Sequence, residues 1–125
     1  MVTIDKPAAT TILSTVSSVE GGESTALSSS FDTETAIQLT AEITLTFGAA
    51  TAGARLYVYG SHDDTWSGNE VAYDVHNIDL AVSSTVQPMK DIKHGPRYLK
   101  MKVTNLDATV AIANVSIAVQ PQTVA

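Results

Sequence analysis

Ala36-Ile37-Gln38-Leu39-Thr40-Ala41-Glu42-Ile43-Thr44-Leu45-Thr46-Phe47 places Ile37, Leu39, Ala41, Ile43, Leu45 and Phe47 on one parity. Gln38, Thr40, Glu42, Thr44 and Thr46 fall on the other. Successive side chains of an extended chain point to opposite faces of a sheet, so an alternation this long predicts a strand with one face buried. A helix would need apolar residues three and four apart, and threonine is a poor helix former. Downstream, Ala54 to Gly60 puts Leu56 and Val58 on one face and Tyr57 and Tyr59 on the other. Aromatics opposite aliphatics predict a strand covered on both faces, by a second sheet on one side and by a loop or neighbour on the other.

The same period continues toward the C-terminus. Arg97 to Thr104 directs Leu99, Met101 and Val103 inward and Tyr98, Lys100 and Lys102 outward, and Asn105-Leu106-Asp107-Ala108 reads as a tight turn. In Val110 to Val119 the parity slips near Ala113: Val110 and Ile112 are even-numbered, Val115, Ile117 and Val119 odd. A β-bulge produces such a slip, and so does a strand buried on both faces. Thr10 to Val19 and Thr25 to Phe31 read as strands on either side of Glu20-Gly21-Gly22-Glu23, and Glu70 to Val82 as one bent strand or two short ones. The expected fold is all-β: a single antiparallel β-sandwich or jelly roll of about eight or nine short strands. Residues 10–119 form the sandwich, residues 1–9 an extended arm, and residues 120–125 a short polar tail.

Composition agrees. Of 125 residues, 16 are Thr, 12 Ser, 13 Val and 8 Ile, and the charged fraction of 16% is well below the usual quarter. This is one domain's length. There is no cysteine, which excludes a disulfide scaffold, a thiolate-bound zinc and a thiol nucleophile. No apolar run reaches the length of a membrane-spanning helix, and no membrane partner is expected. Met1 to Pro7 has neither the basic start nor the apolar stretch of a signal peptide.

The net charge of −6 is unevenly spread. Residues 1–89 hold eleven acids and two bases, whereas Lys90, Lys93, Arg97, Lys100 and Lys102 cluster against Asp91 alone. Such a split favours head-to-tail or like-to-like association between copies, one copy's basic stripe against another's acidic face, although lysines also simply solvate a strand's outer face and protect an edge. Nucleic acid is not expected, because the overall charge opposes it and no exposed aromatics interleave the bases.

His62, Asp63, Asp64, Glu70, Asp74 and His76 lie close together in sequence but lack EF-hand or HExxH spacing, so no metal or other cofactor is expected. No GxSxG elbow or phosphate loop is present, and no catalytic residue or enzymatic activity is assigned. The informative residue is Trp66, the only tryptophan, in the polar loop Gly60-Ser61-His62-Asp63-Asp64-Thr65-Trp66-Ser67-Gly68-Asn69. It has three readings: a cap on the sandwich end, an anchor in a protein interface, or a platform for a sugar ring.

Two stretches carry a resemblance. Leu56-Tyr57-Val58-Tyr59-Gly60-Ser61-His62-Asp63-Asp64-Thr65-Trp66 resembles the strand and following GS-x-D-x-x-x-W loop of galactose-binding-like jelly rolls of the discoidin type, with one residue fewer between Asp63 and Trp66. Gly95-Pro96-Arg97-Tyr98-Leu99-Lys100-Met101-Lys102-Val103-Thr104-Asn105 resembles their GP-[KR]-Y strand. The pairing, with a Ser/Thr/Ala-rich N-terminal half and a last strand ATVAIANVSI, is also similar to small β-sandwich virion proteins of tailed bacteriophages. Discoidin-type modules commonly have Gly where Asp64 stands, and they are usually longer, secreted and disulfide-linked, so the phage resemblance is the closer.

That resemblance implies a non-enzymatic structural protein of the virion, made in the bacterial host cytoplasm. It implies a homo-oligomer bound to other virion proteins, with capsid decoration on the major capsid protein favoured over a neck or tail role. The alternative is a carbohydrate-binding module for a cell-surface glycan. The expected contact residues are Trp66, His62, Asp63, Asp64, Lys90, Lys93, Arg97, Lys100 and Lys102, together with the N-terminal arm.

Overall fold

The computed structural model describes residues 3–93 and 95–124. Residues 1–2 of the expected arm and residue 125 of the expected tail lie outside that range. The strands are β1 (Ile4–Asp5), β2 (Thr10–Val19), β3 (Phe31–Asp32), β4 (Ala36–Thr46), β5 (Ala54–Ser61), β6 (Asp74–Ile78), β7 (Thr85–Val86), β8 (Met89–Asp91), β9 (Tyr98–Asn105) and β10 (Ile112–Val124). Among the described residues there is no helix, and hence none long and apolar enough to cross a membrane.

The first sheet is built on β10 and β4. β2 and β1 pair with the far side of β10, β7 and β8 with the far side of β4. The second runs β3-β9-β5-β6, and all pairs are antiparallel. The chain crosses between sheets after β2, β3, β4, β6, β8 and β9, which is the winding of a jelly roll. Among the described residues ten strands fill the expected eight or nine because β1 and β2 share one position and β7 and β8 another.

From Leu39 on, the alternating residues face each other across the sheets as their parity predicts; Ile37, at the start of β4, shares that parity but is exposed. Leu39, Ala41, Ile43, Leu45 and Phe47 from β4 and its end meet Leu56 and Val58 of β5 and Leu99, Met101 and Val103 of β9, all fully buried. The slip in the last strand is a bulge. The β10–β4 register shifts between Ala113 and Ser116, and Asn114 takes a φ of 55°, so burial passes from Ile112 to Val115, Ile117 and Val119.

Three expectations are corrected. Residues 120–124 are not a free tail: they complete β10, paired to β4 and, at Thr123 and Val124, to β1 of the arm. Pro121 is tolerated there because it falls between the spans of β10 that pair with β2 and β1. Of Glu70 to Val82 only Asp74–Ile78 is strand. Of Thr25 to Phe31 only Phe31 is strand; the rest follows the edge of β9 in another manner.

That segment is stitched by hydroxyls. Thr25 N–H donates to Val103 O (2.9 Å) while Thr25 Oγ1 accepts from Val103 N (3.2 Å). Ser28 repeats this with Met101, at 2.8 and 2.9 Å. Two side-chain oxygens thus stand where a strand would offer carbonyls, and the β9 edge is closed.

The turn into β10 is organised by two buried polar residues. Asp107 accepts from Thr51 N (2.7 Å), Thr51 Oγ1 (3.0 Å), Thr109 N (2.9 Å) and Val110 N (2.8 Å). The Thr51, Thr109 and Val110 amides hold its carboxyl well below the usual carboxylate range. A depressed folded-state pKa means that this stabilisation is complete above the unfolded value of about 4 and is lost as pH falls through the lower folded value. Thermal melts across the acid range are expected to show wild type losing stability more steeply below about pH 4 than Asp107→Asn, which starts lower at neutral pH. Parallel acid limbs for the two proteins would remove Asp107 as the cause.

Candidate functional site

The outer face of the second sheet carries the candidate site. Register pairs Tyr57 with Lys102, Tyr59 with Lys100 and Ser61 with Tyr98, so the outward residues of β5 and β9 form alternating aromatic and basic neighbours, and the expectation that no aromatics interleave the bases is corrected. Lys102 Nζ lies 5.8 Å from the Tyr57 ring centre and 5.6 Å from that of Tyr59. Lys100 Nζ stands 4.9 Å over the Trp66 ring, and the Arg97 guanidinium 5.0 Å over Tyr98.

The loop after β5 folds back over this face. Lys100 and Tyr59 lie along the sheet, so the half-buried Trp66 covers a sheet face and not the sandwich end. The loop is shaped by its own side chains. Ser61 Oγ donates to Asp63 Oδ1 (3.0 Å) and Thr65 O (3.1 Å), and Asp63 Oδ1 also accepts from Thr65 N (3.1 Å), which holds the Asp63 carboxyl below its ordinary pKa.

Asp64 has a φ of 60°, the left-handed region that glycine enters most easily and aspartate tolerates. This is the position where discoidin-type loops commonly have glycine. Here the carboxylate is used: Asp64 Oδ1 accepts from Ser30 Oγ (2.6 Å) and from Trp66 Nε1 (2.8 Å). The Ser30 and Trp66 donors, with Lys100 nearby, lower its pKa. Asp64 therefore fixes the indole and ties the loop to the segment beside β9.

Farther along, Glu70 accepts from Ser67 N (3.2 Å), Ser67 Oγ (2.9 Å) and Gly68 N (3.0 Å), with Gly68 at a φ of 88°. The result is a cleft of about 280 Å³ lined by Leu27, Tyr59, Trp66, Gly68, Glu70 and Lys102.

The remaining expected residues lie apart. His62 is exposed in the same loop and does not line the cleft. Lys90 is in β8, in the first sheet, and Lys93 is exposed in the connection from β8 to β9. Arg97 is committed to Asp32 (3.2 and 3.1 Å) and Glu34 (2.9 Å). The basic run is thus divided: only Lys100 and Lys102 join the Trp66 loop.

The sequence cluster of histidines and carboxylates is likewise dispersed. His76 Nε2 contacts Asp74 Oδ2 at 2.9 Å on β6, and Asp74 also accepts from Lys93 N. Among the described residues no three His, Asp or Glu side chains gather as metal ligands. Tyr59, Leu27 and Glu70 were not among the expected contact residues. The tyrosines opposite Leu56 and Val58 were the signal that this face is covered.

No protein-family model and no curated protein matches the sequence. Solved structures share the fold. The SPBc2 prophage-derived protein YomS is 14% identical, with a TM-score of 0.51 over 97% of this chain and 96% of that one. A chain in the structure of infectious bursal disease virus, Gt strain, is 13% identical, with a TM-score of 0.57 over 91% of this chain and 32% of that one. Dimeric latent PorU from Porphyromonas gingivalis is 8% identical, with a TM-score of 0.53 over 98% of this chain and 13% of that one. The chain thus spans about a third or less of the latter two. At these identities the likeness is one of architecture: the chain is a small all-β sandwich of a kind found both as a prophage-encoded protein of similar extent and as part of much longer chains.

Proposed function

We propose that this protein is a non-enzymatic structural component of a tailed-bacteriophage particle, a homo-oligomer that binds the assembled shell as a decoration protein. The observation that carries the reading is the end-to-end overlap with the SPBc2 prophage-derived protein, in which nearly the whole of each chain takes part. The virion-like features of the sequence, from its Ser/Thr-rich first half to its last strand, support it independently. The mechanism is mass action: a protein that binds only the assembled shell stabilises that shell.

The exposed arm beside β10 and the Lys100–Lys102 face are the contact surfaces in this reading. Quantitative mass spectrometry of density-purified particles tests it, by counting this chain against the major shell protein. A ratio near one-to-one or one-to-a-few is the expected result. A dozen or so copies per particle would place it at the neck or tail, and absence from particles would end the virion reading.

Charge reversal tests the face. Lys100→Glu with Lys102→Glu is expected to weaken shell binding about tenfold at low salt, with the two proteins converging as salt screens the contact. Unchanged binding and salt dependence would exclude these lysines from the interface.

A further inference from the structure

The cleft between the Trp66 loop and the second sheet has a chemistry that a shell contact does not require. One wall is aromatic, from Trp66 and Tyr59, and Leu27 lines it from the segment beside β9. Lys102 and Glu70 both line it, yet no ion pair forms between them. An ammonium has only donors to offer, and a carboxylate only acceptors. Glu70 Oε1 takes a single bond, from Gly68 N, and keeps accepting capacity. Lys102 is held over tyrosine rings at 5.6 and 5.8 Å, a contact that a better acceptor can replace.

A sugar ring matches these features together. Its C–H face stacks on an indole or phenol, and each hydroxyl can accept from a lysine while donating to a carboxylate. The volume of about 280 Å³ lies just under the usual range for small-molecule sites, which suits one ring and not an extended chain. The walls are also set in advance. Asp64 fixes the indole through Nε1, Lys100 covers a face of it, and Glu70 is fixed by the Ser67 and Gly68 amides. A preformed site avoids the entropy cost of ordering a loop on binding.

We infer that this cleft binds a neutral pyranose, stacked on Trp66 and Tyr59, with neighbouring hydroxyls bridging Lys102 and Glu70. The cleft shares Lys102 with the proposed shell contact, but glycan titration of the isolated chain reads it without particles, so the failure of one reading is distinguishable from the failure of the other.

Trp66 is the only tryptophan, so its fluorescence reports on this site alone. The experiment takes the full chain through a glycan array containing neutral and carboxylated glycans, and then titrates the hits by fluorescence. Neutral glycans are expected to bind and to shift the emission saturably. By calorimetry, Trp66→Ala is expected to weaken binding about tenfold or more, Lys102→Ala to weaken it measurably, and Trp66→Tyr to restore part of the loss. Circular dichroism identifies any variant that has failed to fold, and the wild-type titration stands without the variants. The inference is overturned if no glycan shifts the emission, if binding is confined to carboxylated glycans, or if folded Trp66→Ala and Lys102→Ala bind as wild type does.

Discussion

Replacing Asn105 with alanine is expected to lower the free energy of unfolding by about 2–4 kcal/mol, read from chemical denaturation. Asn105 is completely buried at the end of β9. Its Nδ2 donates to Val110 O (2.8 Å), Val19 O (3.1 Å) and Glu20 O (3.3 Å), and its Oδ1 accepts from Asp107 N (3.0 Å). One amide thus joins the end of β2, the end of β9 and the turn into β10, across both sheets. Alanine would leave an N–H and carbonyls without partners in a dry corner, besides a cavity.

The corner has little room to adapt. A Cβ on Gly21 would lie 2.6 Å from Thr109 N and 2.7 Å from Ala108 C, so the backbones are already in close contact. Asn105→Asp is the sharper variant. Its shape is unchanged, but it turns an acceptor toward those carbonyls, and it is expected to be less stable than Asn105→Ala at neutral pH. A loss below about 1 kcal/mol for alanine, or an aspartate variant as stable as wild type, would show that water or backbone adjustment satisfies these groups.

The strands that alternate strictly were legible because burial on one face imposes a period of two. β4, β5 and β9 follow from their residues, whereas the change of parity between Ile112 and Val115 fits a bulge or a strand buried on both faces alike, and only the register shift in β10 decides for the bulge. What could not be read was where a strand's partner is missing. Residues 120–124 look like a polar tail until β1 and β4 pair with them, and pairing is a long-range fact that local residues do not encode. Glu70 to Val82 reads as alternating, but Glu70 is spent on the amides of Ser67 and Gly68, and only Asp74–Ile78 is strand.

The candidate site was half legible. A lone tryptophan in a polar loop marked Trp66, and a left-handed Asp64 explains why a glycine-like position carries an aspartate. The grouping of Leu27, Tyr59, Glu70 and Lys102 was not legible, since four separate stretches supply them: the β5–β9 register brings Tyr59 and Lys102 onto one face, and Leu27 and Glu70 come from loops folded against it. The basic run misled for the complementary reason: Lys90 and Lys102 are near in sequence but lie in different sheets.

The segment beside β9 gives the last and most specific expectation. Phe31 is opposite Leu99, Ser28 bonds Met101, and Thr25 bonds Val103. The segment therefore advances three residues while β9 advances two, and burial follows a period of three through Thr25 and Ser28. A strand cannot keep its carbonyls aligned at that pace, so hydroxyls take over as acceptors for the buried amides of Met101 and Val103. Only a short side chain with an oxygen on Cβ serves, which is why Thr and Ser stand there and why the reading of Thr25 to Phe31 as a plain strand fails. The double substitution Thr25→Val and Ser28→Ala keeps the size nearly constant while removing both acceptors. It is expected to cost about 2–5 kcal/mol, the penalty for two buried N–H groups left unpaired. Amide hydrogen exchange is expected to quicken most at Met101 and Val103, because their partners are lost while the neighbouring β5–β9 ladder remains. If the variant melts as wild type does and those two amides stay protected, backbone carbonyls must close the β9 edge, and the hydroxyls would be decoration on an ordinary strand.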